Sequence, residues 1–168
     1  MRKVSLGFCG VVLGLLLLAP AVFGQDFGDT MTESRLFNIE TGFLAGYDFG
    51  EEETVTGTST ALNLAILENA EIGFVRVSFS DDTGAVADTY NLLRFNYFFT
   101  QQLSVSLASG AESGSAAGSI GGNFILVRSI PDNGFSSTMK INVQYLFNEA
   151  AGIGDGTLGI SLLGTIGL

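Results

Sequence analysis

The chain has 168 residues, with 17 Asp/Glu against 7 Lys/Arg for a net charge of −10, no His, one Cys, and 46% hydrophobic residues. That balance leaves no basic stripe for a nucleic-acid partner, and a single cysteine with no histidine makes neither an internal disulfide nor a Cys/His metal centre. It also closes catalysis that uses histidine as general base.

Met1 to Gly24 carries Arg2 and Lys3, then an apolar run through Leu15 to Leu18, then Ala-Pro-Ala-Val-Phe-Gly before Gln25. This is the layout of a secretory signal peptide, cut before Gln25 with Val22 and Gly24 as the small flanking residues. The apolar run is short for a spanning helix, which needs about 20 residues. Cys9 lies early in the run rather than after it, which argues against a lipoprotein site. The expected plan is therefore a signal peptide (1–24), a short polar periplasmic leader (25–35) and one domain (36–168). The exported part keeps five basic residues against 17 acidic ones, a net charge of −12, with no Cys.

From Phe37 to Gly50 the residues alternate: Phe37, Ile39, Thr41, Phe43, Ala45, Tyr47 and Phe49 interleave with Asn38, Glu40, Gly42, Leu44, Gly46, Asp48 and Gly50. Strand side chains point to opposite faces with period two, so this predicts a strand with one apolar face and one small or polar face. Glu51, Glu52, Glu53 and the tract to Gly57 read as a loop. A second strand over 58–66 sets Thr58, Thr60, Leu62, Leu64 and Ile66 against Ser59, Ala61, Asn63 and Ala65, and Leu67 to Ala70 turns the chain. The third, 72–80, is read with Val75, Val77 and Phe79 on the apolar side and Phe74, Arg76 and Ser78 opposite. After a loop over 80–88 containing Asp81 and Asp82, the fourth (89–99) sets Leu93, Phe95, Tyr97 and Phe99 against Tyr90, Leu92, Arg94, Asn96 and Phe98.

Thr100 to Gln102 turns into a fifth strand, with Leu103, Val105 and Leu107 against Ser104, Ser106 and Ala108. Ser109 to Gly118 reads as a Gly/Ser/Ala loop. In the sixth strand, 119–128, the continuous apolar run Phe124 to Val127 has no assignable parity, and a bulge is one resolution. Pro131 to Gly134 is a turn. The seventh strand sets Met139, Ile141, Val143, Tyr145 and Phe147 against Lys140, Asn142, Gln144 and Leu146. After a loop over 148–156, the eighth sets Leu158, Ile160, Leu162, Gly164, Ile166 and Leu168 against Gly159, Ser161, Leu163, Thr165 and Gly167.

Eight strands with longer, acidic connections at one end and short ones at the other is the pattern of an outer-membrane barrel. Phe37 to Tyr47 spans ten residues, so at ~3.3 Å per residue and ~40° tilt it rises about 25 Å, the height of such a barrel's apolar band. Alternation alone also fits a secreted sandwich or a soluble lipocalin-like binder, whose apolar face would be the core. The opposite face favours the inverted arrangement. A solvated sheet surface carries Lys, Glu and Arg, yet Lys140 is the only lysine after Lys3, and small residues suit an eight-stranded bore that side chains fill.

The signal peptide, the eight alternating stretches and Tyr97-Phe98-Phe99-Thr100 entering a turn before Gln101-Gln102-Leu103-Ser104-Val105 resemble the small outer-membrane barrels of the OmpA/OmpX-type superfamily. The resemblance spans most of the exported chain. It implies an all-β, eight-stranded antiparallel up-and-down transmembrane β-barrel, integral to the cell outer membrane, with outer-membrane lipid and the barrel-assembly machinery as partners. The chain departs from the family in ending Ile166-Gly167-Leu168, where such barrels commonly end in an aromatic residue read by that machinery.

Two sets of residues carry the functional expectations. Glu40, Asp48, Arg76, Arg94 and Lys140 share the inward side and predict a salt-bridged interior, since charges in a narrow barrel are costly unless paired. Phe37, Tyr97, Phe99 and Phe135 at one rim and Tyr47, Phe49, Phe79 and Phe147 at the other predict aromatic girdles. Glu51, Glu52, Glu53, Asp81, Asp82 and Asp88 have the oxygen chemistry of a Ca²⁺ or Mg²⁺ site but no regular ligand spacing, so no metal ligands, cofactor or catalytic residues are assigned. The resulting expectation is a non-catalytic envelope protein with a filled interior. A narrow channel or carrier for small or apolar solutes is the second reading.

Overall fold

In the computed structural model, which describes residues 36–80, 86–129, 136–150 and 152–167, the strands are β1 Phe37–Asp48, β2 Glu53–Leu67, β3 Ala70–Ser80, β4 Val86–Phe98, β5 Leu103–Glu112, β6 Ser115–Ser129, β7 Ser136–Asn148 and β8 Thr157–Gly167. Each pairs antiparallel with its sequence neighbours, and β8 pairs with β1, so the sheet closes as an up-and-down barrel in chain order. Closure leaves no free strand edge, so every ladder is satisfied within the barrel. The expected signal peptide, the leader, Phe135, the turn at 131–134 and Leu168 lie outside the described residues.

The register sets the shape. Starting at Asn38 and stepping through its partners Asn63, Gly73, Arg94, Ala108, Ser119, Leu146 and Thr157, the path returns to β1 at Asp48, ten residues further along. Eight strands with that stagger must tilt by about 40° and enclose a bore that side chains alone can fill. The end that holds the turns at 49–52 and 113–114 is termed upper here, and the end with those at 68–69 and 99–102 lower.

Local chemistry explains three of the turns. Asp48 Oδ1 accepts the N–H groups of Gly50 and Glu51 at 2.8 and 3.0 Å, an Asx-type turn after β1. Thr100 Oγ1 does the same for Gln102 and Leu103 at 3.1 and 3.0 Å. Ser113 and Gly114 both have positive φ, 46° and 92°, which is the mirror-image two-residue turn that matches strand twist.

That last turn corrects the expected loop over 109–118. β5 and β6 run as a ladder to Glu112↔Ser115, because in a bore lined by small side chains Gly, Ser and Ala serve as strand residues. β2 likewise begins at Glu53, with Asp48↔Glu53 as its first pair, rather than at 58. The expected contrast of long upper loops with short lower turns therefore fails at these two hairpins. In β6 the ladder shifts between Ile125 and Val127, leaving Leu126 as the extra residue, and both Leu126 and Val127 face outward. A bulge thus resolves the apolar run.

β3 has the opposite parity to that expected. Thr60↔Arg76 and Ala61↔Val75 are direct pairs, so Val75, Val77 and Phe79 point inward and are buried while Phe74 and Arg76 face out. The interior is layered. Its lower half is polar, and its upper half is an apolar core of Leu44, Ala61, Val75, Val77, Phe79, Tyr90, Leu92, Ala117 and Leu146.

Candidate functional site

Glu40 lies at the centre of the lower interior. Inward parity on β1 places it there, and the tilt brings β4 and β7 across from it. Its carboxylate is fully buried and receives two parallel hydrogen bonds from Arg94, Nη1 to Oε1 and Nη2 to Oε2, both at 3.1 Å. Lys140 Nζ pairs with Oε2 from β7. Arg94 Nη2 also donates to Asn63 Oδ1 at 3.0 Å, and Asn63 Nδ2 reaches Glu40 Oε2 at 3.4 Å. A two-pronged Arg–carboxylate pair fixes geometry as well as charge, and the additional donors offset the desolvation that makes buried ions expensive.

Amides extend the network on both sides. Asn38 Nδ2 and Asn96 Nδ2 donate to the two oxygens of Glu71 at 3.0 and 3.5 Å. Asn142 Nδ2 donates to Asn123 Oδ1 at 2.9 Å, and Asn123 Nδ2 to Ser104 Oγ at 2.9 Å. Two carboxylates, Glu40 and Glu71, thus lie buried in the same half-bore as two cations, Arg94 and Lys140. Gly73, the direct partner of Asn63, leaves the space the Asn63 side chain uses, since a Cβ there would collide with Asn63 Oδ1. Below the network a vestibule of about 50 Å³ opens among Asn38, Glu71, Lys140, Ala70, Phe98 and Ile125.

Of the five charged residues expected inside, Glu40, Arg94 and Lys140 come together. Asp48 stands apart at the upper rim, where its Oδ2 accepts Thr157 Oγ1 at 2.6 Å and its other oxygen holds the turn. Arg76 is on the outward face, a correction that follows from the parity of β3. At the same upper rim, Asp88 lies beyond the outward apolar stretch of β4, which begins at Leu93. Partial burial, the nearby Glu112 carboxylate and a hydrogen bond with it, and then Glu51 and Asp48, hold the Asp88 carboxyl above its ordinary value. Glu112 in turn accepts Asn148 Nδ2 at 2.8 Å.

Compared with models of known protein families and with curated proteins, the chain matches none.

The outward wall is apolar over much of its area. Phe43 is 79% exposed, and Ile39, Leu62, Phe74, Leu93, Leu107, Ile160, Leu162 and Ile166 are each more than half exposed. Of the expected rim aromatics, Phe37, Tyr97 and Phe99 are exposed at the lower end, with Tyr97 and Phe99 packed edge to face. At the upper end Tyr47, Phe49, Tyr145 and Phe147 form a chain of ring contacts with centroids 5.2, 6.3 and 6.4 Å apart, spanning β1 to β7. Phe79 is a correction. It is buried inside the barrel against Tyr90, centroids 6.0 Å apart at 85°. Tyr145 joins the rim in its place, and its outward parity beside Phe147 was the signal for it.

Proposed function

We propose that the chain is an integral outer-membrane barrel, a non-catalytic envelope protein whose interior is closed and whose upper hairpins face the exterior. The observation that carries the reading is the exposed wall of Phe, Leu and Ile around a barrel whose interior is already filled. Exposed contiguous apolar surface of this kind needs a cover, and a closed barrel has the one β architecture that can meet hydrocarbon with every backbone group paired. The resemblance to small outer-membrane barrels of the OmpA/OmpX type and the signal-peptide layout support the same location. The chemistry of the bore supports closure rather than transport: an ion-paired network fills it below, and packed Leu44, Val77, Leu92 and Leu146 fill it above.

A carrier for apolar solutes would need an empty apolar chamber, whereas the apolar side chains inside are packed on one another. Fractionation tests the proposal. The chain is expected to stay with outer membranes through a carbonate wash and to change mobility on SDS gels when boiled. Release into the wash as a dissolved monomer would overturn it.

A further inference from the structure

The outer wall is not uniform around the barrel. On β1 and β8 the outward pairs Phe43↔Leu162, Ala45↔Ile160 and Tyr47↔Leu158 remain apolar to the hairpin end. On β2, β3 and β4 the apolar wall stops earlier. Leu62, Phe74 and Leu93 form one cross-strand row, 52, 55 and 57% exposed. The next outward row towards the upper end is Thr60, Arg76 and Asn91, and the row after it is Thr58, Ser78 and Thr89, in which Ser78 and Thr89 share a hydrogen bond of 3.4 Å. Directly opposed side chains in a sheet lie about 5 Å apart, so the Arg76 guanidinium stands among hydroxyl and amide groups on a ledge just above hydrocarbon-like side chains.

Charge is distributed just as unevenly. Among the described strand residues every carboxylate, Glu40, Asp48, Glu53, Glu71, Asp88 and Glu112, has inward parity, and Arg76 is the one charged residue with outward parity. In a chain with 17 acidic residues, this cation has no acidic neighbour on its own face among the described strand residues. A guanidinium prefers a two-pronged oxyanion, phosphate above all. Long cationic side chains at a membrane boundary extend their charge to the headgroup level.

We infer that this wall seats a membrane lipid with an anionic, phosphate-bearing headgroup, the phosphate over Arg76 and the acyl chains over Leu62, Phe74 and Leu93. The inference rests on the membrane reading above and adds to it a defined lipid contact. The threonine and serine hydroxyls of the two upper rows supply further donors to headgroup oxygens, and the aromatic rim, which spans β1 to β7, marks where the boundary lies on the opposite wall.

The test is native mass spectrometry of the full chain released from nanodiscs of equal phosphatidylglycerol and phosphatidylcholine. One phosphatidylglycerol is expected to be retained, favoured over phosphatidylcholine by about fivefold, the effect of one basic group near a charged headgroup. The preference should vanish in Arg76→Gln and survive in Arg128→Gln, a change on β6 at the lower vestibule that Arg128 lines, with both variants keeping the boiling-dependent gel shift of the folded barrel. An unchanged preference in Arg76→Gln overturns the inference, as does a lipid-free dimer joined through this wall. A chain that enters nanodiscs without any lipid preference overturns this inference alone, while one that dissolves without detergent overturns the membrane reading with it.

Discussion

Along β1, the interior around Glu40 is closed by carboxylates, cations and amides, whereas four residues further up, at Leu44, it is closed by Leu, Val and aromatic side chains. The two halves occupy the same bore, share the same strands and have the same small residues on neighbouring positions, yet they respond to substitution for different reasons. In the lower half each group depends on a hydrogen-bonding or oppositely charged partner, so losing one leaves others desolvated and unmatched. In the upper half the core residues Leu44, Val77, Leu92 and Leu146 depend on packing volume.

The difference predicts a graded series of effects, measured by denaturant unfolding of the detergent-solubilised barrel followed by circular dichroism. Glu40→Ala is expected to be the most damaging change, about 3–5 kcal/mol, because it strands Arg94 and Lys140 without their shared counter-ion. Replacing Glu40 together with both cations by Leu or Met should recover much of that loss. If the triple replacement is no better than the single one, the lower half is closed by packing as the upper half is. Leu92→Ala should cost about 2–5 kcal/mol through the cavity it opens, with no comparable rescue from a change of charge. Conductance in planar bilayers should stay absent in Glu40→Ala, since the apolar layer above is intact. Steady current from that variant would show that the ionic layer alone holds the bore shut.

Gly73→Ala is expected to cost about 1–3 kcal/mol, because its methyl group would displace Asn63 from Arg94 and Glu40 and leave buried polar groups short of partners. Ser113→Gly acts outside both halves and in the opposite direction, stabilising by up to about 1 kcal/mol, since glycine adopts the positive φ that serine is forced into. The smallest effect is expected from Asp88→Asn at the upper rim. The Asp88 carboxyl is held above its ordinary value, so the folded state binds its proton more tightly than the unfolded chain, and stability should decline as pH rises from the unfolded value through the raised folded one. The difference between wild type and Asp88→Asn across that window isolates the effect. No pH dependence of that difference would mean the Asp88–Glu112 contact is too solvated to matter.

What could be read from the residues alone follows the same division. In β1, β7 and β8 one face is mostly bulky and the other mostly polar or small, so parity was evident, and with it the shared inward side of Glu40 and Lys140. β3 was read inverted because its inner positions, Val75, Val77 and Phe79, belong to the apolar upper core. Its inward face is therefore the more apolar one, the outward face carrying Arg76 and Ser78 beside Phe74, and only pairing with Thr60 and Ala61 decides which faces in. The same inversion put Arg76 inside and Phe79 outside. The amide network was hidden for a related reason. Asn38, Asn96 and Glu71 lie far apart in the chain, and what joins them is stagger between strands rather than any motif. Residues 109–118 looked like a loop because Gly, Ser and Ala usually signal one, and only the positive φ of Ser113 and Gly114 marks where the chain turns.

What covers the outward wall decides the membrane reading. Spin labels placed singly at Phe43, Leu93 and Ile160 in the full chain reconstituted into lipid vesicles would report this by their relative accessibility to oxygen and to a water-soluble nickel chelate. A wall covered by lipid gives high oxygen and low chelate accessibility at all three. High chelate accessibility at these positions, or labels that are immobilised and reached by neither agent, would contradict it.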